Sequence, residues 1–160
     1  MSKLPLNHPI SEMFRDNPVL VPAPRSTPMV EGALWPTRIL SEHLVNSGFG
    51  GSVQNLIARI APVPKSSNYY TAESRPSCNT HFNSLLCTPP QAFIQKLIIV
   101  DDVFTLGRTS KIKEIYPNAE ILVFAAMRTR GFVASLDEIV RPSYNQMIYH
   151  PEQDRIFLPN

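Results

Sequence analysis

The sequence predicts an α/β protein: a mostly parallel sheet flanked by helices on both faces. Two continuous apolar runs carry that prediction, "KLIIV" at Lys96–Val100 and "EILVFAAM" at Glu120–Met127. Runs without polar alternation belong to strands buried on both faces of a parallel sheet. Between them "TSKIKEIY" reads as a short helix that must stop before Pro117. Strand, turn, helix and strand in that order form a βαβ unit with a right-handed crossover.

The remaining elements follow along one domain, residues 1–160, without an internal repeat. Met1–Asn17 is polar with scattered apolar residues and reads as an arm that packs on the body. "PVLVPAP" (Pro18–Pro24) reads as a short strand, its prolines suiting an edge or a strand terminus. "PTRILSEHLVNSG" (Pro36–Gly48) reads as a helix: Pro36 fits the first turn, Ile39, Leu40, Leu44 and Val45 supply an apolar stripe, and Asn46–Gly48 is a stop. "VQNLIARIAPV" reads as a strand with a helical alternative for its opening. Residues 64–90 form a long polar insertion, of the length that marks functional lids or disordered segments. Residues 131–160, a C-terminal extension, read as a short helix and a hairpin.

Composition narrows the function classes. Charged residues are 18% and hydrophobic ones 43% of the chain, ordinary globular proportions rather than those of a disordered segment. A formal net charge of +2 with no basic run gives no electrostatic footprint for nucleic acid. No apolar stretch approaches the about 18 residues of a membrane span and no leader-like segment opens the chain, so the expectation is a cytoplasmic protein that binds neither membrane nor nucleic acid. Cys78 and Cys87 lack the spacing of a redox or zinc pair and read as buried or free thiols. The 16 prolines cluster before residue 37 and between 62 and 90, marking those regions as extended and loop-rich.

The chemistry concentrates in "LIIVDDVFTLGRTSKI" (Leu97–Ile112). Asp101 and Asp102 stand at the carboxyl end of a central strand, where open α/β sheets bind ligands. Carboxylates there are costly unless solvated or hydrogen-bonded. In "TLGRT", Gly107 lets the backbone turn inward, and the Thr105 and Thr109 hydroxyls and the N–H groups of Leu106–Thr109 form an anion nest at a helix start. Acids a few residues from such a nest suit a ribose 5-phosphate, its hydroxyls on the acids and its phosphate in the loop. A Walker loop is excluded by spacing. A phospho-acceptor receiver is disfavoured because most of that domain follows its acids, whereas here most of the chain precedes them. An exposed polar turn is the plain alternative.

"IIVDDVFTLGRT" resembles the PRPP-binding motif of the type I phosphoribosyltransferases: an apolar strand, two acids, and a loop of the kind T-T-G-x-T. "LVPAPRS", "EGALWPTRILSEHL", "LIARIAPVPKS" and "RPSCNTHFNSL" resemble, in order, the segments of the ComF-type, competence-associated branch, so the likeness spans residues 18–130. The resemblance implies a type I phosphoribosyltransferase-like fold. It implies that Asp101 and Asp102 hold the ribose hydroxyls and that Thr105, Leu106, Gly107, Arg108 and Thr109 bind the 5-phosphate. Arg25 and Ser26 would line a pyrophosphate loop, and Lys65 and Arg75 would lie on a mobile closing loop. Mg²⁺ would arrive with PRPP rather than on protein ligands. A homodimer is left open.

The implied reaction transfers the phosphoribosyl group of PRPP to a base or amine with release of pyrophosphate. Positive charge develops on the sugar and negative charge on the leaving group, so cations, Mg²⁺ and water exclusion suffice without a side-chain nucleophile. Leu106 and Arg108 depart from the family's small or hydroxylated residues. Arg108 has three open outcomes: a guanidinium on the phosphate, a side chain in solvent, or one that fills the site and ends catalysis. Accordingly two other functions stand beside the enzyme: a PRPP- or nucleotide-sensing module without turnover, and an interaction scaffold. His81 reads as a solvated loop histidine, and His43 and His150 as surface residues. Tyr144, Tyr149 and Phe157 read as core rather than as base-stacking rings.

Overall fold

The structure, a computed structural model, describes residues 8–64, 77–89, 93–104, 112, 115–128, 148–150, 152 and 155–157. It opens with a short helix, α1 (Pro9–Met13), started by Pro9 and by His8, whose Nδ1 accepts from the Ile10 N–H at 3.2 Å. β1 (Val19–Pro22) follows, then α2 (Pro36–Asn46), β2 (Ser52–Val53) and β3 (Ile57–Arg59). After them come α3 (Cys78–Asn83), β4 (Leu85–Cys87), β5 (Lys96–Phe104), β6 (Glu120–Arg128), β7 (Ile148–His150) and β8 (Arg155–Phe157).

The main sheet has the order β2-β1-β5-β6, and all three pairings are parallel. This bears out an α/β architecture with a mostly parallel sheet and flanking helices. β5 lies between β1 and β6, and its Leu97, Ile98, Ile99 and Val100 are each 2% exposed or less. Full burial of such a side chain stabilises by roughly 1.5–3 kcal/mol. β5 and β6 both run past the apolar segments that announce them, to Phe104 and Arg128.

Alternation along β5 divides the core. Ile98 and Val100 join Leu20 and Phe14 on one face, covered by Leu40, Leu44 and Val45 of α2 and by Ile10 and Met13 of α1. The N-terminal arm therefore packs on the body through α1 and Phe14. Leu97 and Ile99 join Val21 on the other face, against Ile57, Leu85 and Cys87 of an antiparallel β3–β4 ribbon and against Ile112, Tyr116 and Ala119. Most of the expected helix "TSKIKEIY" lies outside the described residues. Its end carries a helical bond, Tyr116 N–H to the Ile112 carbonyl at 2.8 Å.

Of the two settings that suit the prolines of β1, an edge or a strand terminus, the structure has the terminus: β1 is an interior strand, and β2 pairs only with Val19 and Leu20 and has ended before Pro22. Three expectations need correction. Ile39 is 43% exposed and leaves the apolar stripe of α2, since each residue turns about 100° from the last and the buried side centres on Thr37, Ser41 and Leu44. "VQNLIARIAPV" is two strands in two different sheets, β2 and β3. The insertion 64–90 contains α3 and β4, so its second half is built into the fold. Residues 131–147, with the expected helix of the extension, lie outside the described residues; β7 and β8 form the expected hairpin.

α2 ends in a Schellman motif: Phe49 N–H donates to the Leu44 carbonyl (2.8 Å) and Gly48 N–H to that of Val45 (2.9 Å), with Gly48 at φ +85°. Among the described residues, no helix is long and apolar enough to cross a membrane.

Candidate functional site

The carboxyl end of β1 lies beside the middle of β5. Their ladder runs from Val19↔Leu97 to Pro22↔Val100 and is extended by the Ala23 N–H, which donates to the Val100 carbonyl at 2.8 Å. The β1 chain leaves the sheet as Pro24-Arg25-Ser26, while β5 continues beside β6 through Asp101 and Asp102 to Phe104.

The loop after β1 is held on three sides. Ala23's carbonyl accepts from the Trp35 Nε1–H (3.0 Å) and the Thr37 hydroxyl (2.7 Å), which fixes the start of α2 against the strand end. Ser41, fully buried, donates to the Thr37 carbonyl at 2.7 Å. The Arg25 carbonyl accepts from Arg59 Nε (3.0 Å), and the Ser26 carbonyl from the Val63 N–H (2.8 Å). Arg25's guanidinium is exposed and reaches the Leu34 carbonyl at 3.3 Å. With no side-chain cap at Trp35, the positive end of α2 also points toward this edge.

Asp101 is 6% exposed and pairs in register with Ala125 of β6. It shares the strand face of Leu97 and Ile99 by the two-residue period. Asp102 lies in β5, but its side chain, the whole loop Thr105–Thr109 (with Leu106, Gly107 and Arg108), Lys65 and Arg75 lie outside the described residues. Of the residues singled out from sequence, the structure describes Arg25 and Ser26 on the loop after β1 and Asp101 within β5, one residue past the Val100 carbonyl that bonds Ala23.

Sequence reasoning missed Arg59. It is 4% exposed, at an inward position of β3, and its guanidinium donates to the His81 carbonyl (3.4 Å) and to the Ser84 hydroxyl as well as to Arg25. The signal was present in "LIARI": Ile57 and Arg59 fall on the same face of an alternating strand, and a charge on an apolar face is informative. His81 is also buried, at 6% exposure in the last turn of α3, and not the solvated loop residue expected. Cys87 is buried, as expected. Among the described residues, no three His, Cys, Asp or Glu side chains cluster closely enough to hold a metal.

No family model, no curated protein and no solved structure matches this chain.

Proposed function

We propose that the chain binds PRPP at the carboxyl edge of its sheet and transfers the phosphoribosyl group to a base or amine. The observation that carries this reading is the hydrogen bond from the Ala23 N–H to the Val100 carbonyl, which ends the β1 ladder one residue before Asp101. On this reading the Arg25–Ser26 loop and Asp101 serve one ligand.

The division of labour follows from charge. Asp101, with Asp102, accepts hydrogen bonds from ribose hydroxyls and fixes the sugar. Arg25 and the positive end of α2 face the pyrophosphate, and the Thr105–Thr109 loop takes the 5-phosphate. In the reaction the C1–oxygen bond to pyrophosphate breaks with its electron pair, the C1–nitrogen bond forms, and the acceptor nitrogen loses a proton. Mg²⁺, carried in on pyrophosphate and ribose oxygens, would neutralise the leaving group. Arg59 holds the Arg25 carbonyl and so positions the loop.

One observation favours a second reading. At 6% exposure, the Asp101 carboxylate is shielded from solvent, which suits a sensing module that binds PRPP or a nucleotide without turnover. Calorimetric titration with PRPP and Mg²⁺, beside ribose 5-phosphate, tests both. Saturable heat is expected, weakened at least about tenfold by Asp101→Asn with Asp102→Asn, since each lost charge-assisted bond is worth roughly 1.5–3 kcal/mol. Pyrophosphate release with added bases then separates enzyme from sensor. No heat at millimolar PRPP overturns both.

A further inference from the structure

The two edges of the main sheet differ. At one, β2 is a strand of two residues, too short to template another chain. At the other, β6 is nine residues long, and among the described residues no strand pairs with its outer side. Its interior, Ile121–Met127, reads ILVFAAM and holds no charge, proline or glycine of the kind that blunts an exposed edge. Ile121 and Val123 pack on one face of the sheet and Leu122 and Phe124 on the other, yet each keeps part of its surface exposed.

The backbone of this edge has a defined phase. The Glu120 N–H donates to the Gln95 carbonyl at 2.8 Å, so the backbone of Glu120 faces β5. In a parallel ladder alternate residues bond the same neighbour. Leu122, Phe124 and Ala126 therefore face β5 too, whereas Ile121, Val123, Ala125 and Met127 turn their N–H and C=O groups to the open side.

Charge selects the occupant. β6 begins with Glu120 and ends with Arg128. Set antiparallel to itself about a two-fold axis at Phe124, the strand places Glu120 opposite the second copy's Arg128 at both ends of the pairing. The same register sets Ile121 opposite Met127 and Val123 opposite Ala125, the residues whose backbones face outward. A slip of one residue would oppose outward to inward backbones, and a slip of two would part the charges. The strand is thus self-complementary in one register.

We propose that β6 is the interface of a homodimer, in which antiparallel β6–β6 pairing joins two copies into one continuous sheet. Each copy uses its long edge and keeps only the short β2 edge, so the assembly closes at two. β6 lies on the opposite side of β5 from β1, and the proposal does not depend on PRPP binding.

Sedimentation equilibrium of the purified full-length chain, from about 1 µM to 1 mM, tests this. A monomer–dimer equilibrium is the expected result. Ala125→Pro removes an outward N–H that β5 does not use, and proline is tolerated on edge strands. It is expected to raise the dissociation constant at least about tenfold with far-UV circular dichroism unchanged. Should that variant fail to fold, a charge series carries the test. Glu120→Arg and Arg128→Glu each put like charges together at both ends and are expected to weaken the dimer at least about tenfold; the double swap is expected to restore it. Glu120 also lies 3.6 Å from Lys96 of its own chain. That contact stays broken in the double swap, so recovery there assigns the effect to the interface. A monomer throughout the range, the outcome if another segment of the chain or a foreign strand takes this edge, overturns the proposal. So do assemblies of more than two copies, a dimer undiminished by Ala125→Pro, and a double swap as weak as the single variants.

Discussion

The Ala23 carbonyl accepts two hydrogen bonds at once, from the Thr37 hydroxyl at 2.7 Å and from the Trp35 indole N–H at 3.0 Å. On the other side of the same residue, its N–H donates to Val100 at 2.8 Å. Ala23 is therefore the joint between β1, β5 and α2, the three elements that frame the candidate site. A buried carbonyl has two lone pairs, and here both are used by side chains of the following helix start.

That joint can be opened one bond at a time. Thr37→Val keeps shape and removes one donor, and is expected to cost about 1 kcal/mol. Trp35→Phe is expected to cost a similar amount through its own bond, apart from packing. The double variant leaves the carbonyl bare and is expected to exceed the sum, because an unsatisfied buried acceptor carries a desolvation penalty of about 1–3 kcal/mol. Urea titration measures this as a shift in midpoint at constant slope. Strict additivity would show that the two donors act on separate features.

Two glycines with left-handed backbone differ in their surroundings. Gly48 (φ +85°) has nothing within 4 Å of where a Cβ would stand; at Gly50 (φ +91°) a Cβ would meet the Leu20 Cγ at 2.9 Å and the Pro18 carbonyl oxygen at 3.1 Å. Gly48→Ala is expected to cost only the conformational penalty, about 1–2 kcal/mol. Gly50→Ala adds displacement of Leu20, a residue with no exposed surface, and is expected to cost about 2–4 kcal/mol in total. Thermal denaturation of the pair checks the order; equal losses would mean that Leu20 yields freely.

How far the fold is legible depends on where each element's information resides. β5 and β6 can be read directly, because Leu97–Val100 and Ile121–Ala126 are unbroken apolar runs and burial on two faces demands them. α2 can be read from Pro36 and from its stop at Gly48. The β3–β4 ribbon cannot: each strand has three residues, and their pairing of Ile57 with Cys87 spans a polar, proline-flanked segment that carries no periodic signal. Asp101 is visible as an acid after an apolar run, but the joining of the loop after β1 to β5 is not, since the Ala23–Val100 bond is a product of parallel register.

Tyr116 sets an alkaline limit. Its phenol is held above its ordinary value of 10.0, first by burial, which disfavours the phenolate, and then by the negative charge of a Cys87 thiolate. Its hydroxyl donates to the Thr88 carbonyl at 3.1 Å. The folded state thus binds this proton more tightly than the unfolded chain. Its stabilising contribution is complete below pH 10.0 and is lost as pH rises through the higher folded-state value. Stability measured by urea titration is expected to fall from about pH 10 upward, and Tyr116→Phe is expected to remove that part of the fall while costing about 1 kcal/mol at neutral pH. An unchanged alkaline profile in Tyr116→Phe would assign the fall to other groups.

Phe14 is the point at which the N-terminal arm becomes part of the core. It is 5% exposed and meets two rings edge-on, Phe49 at 5.4 Å and 72° and Phe124 at 5.4 Å and 68°. Phe49 follows the end of α2 and Phe124 lies on β6, so one side chain ties the arm to both flanks of the face that carries Leu20, Ile98 and Val100. Phe14→Ala removes the ring and leaves a cavity between elements that cannot easily close, and is expected to cost about 3–5 kcal/mol. Phe14→Leu keeps most of the volume but loses the edge-to-face geometry, worth about 0.5–1.5 kcal/mol per pair beyond area, and is expected to fall between. Phe93, 80% exposed, is the control: Phe93→Ala is expected to change stability by less than about 0.5 kcal/mol. If Phe14→Ala behaved like Phe93→Ala in urea titration, α1 would be a surface attachment and the core face would be closed without it.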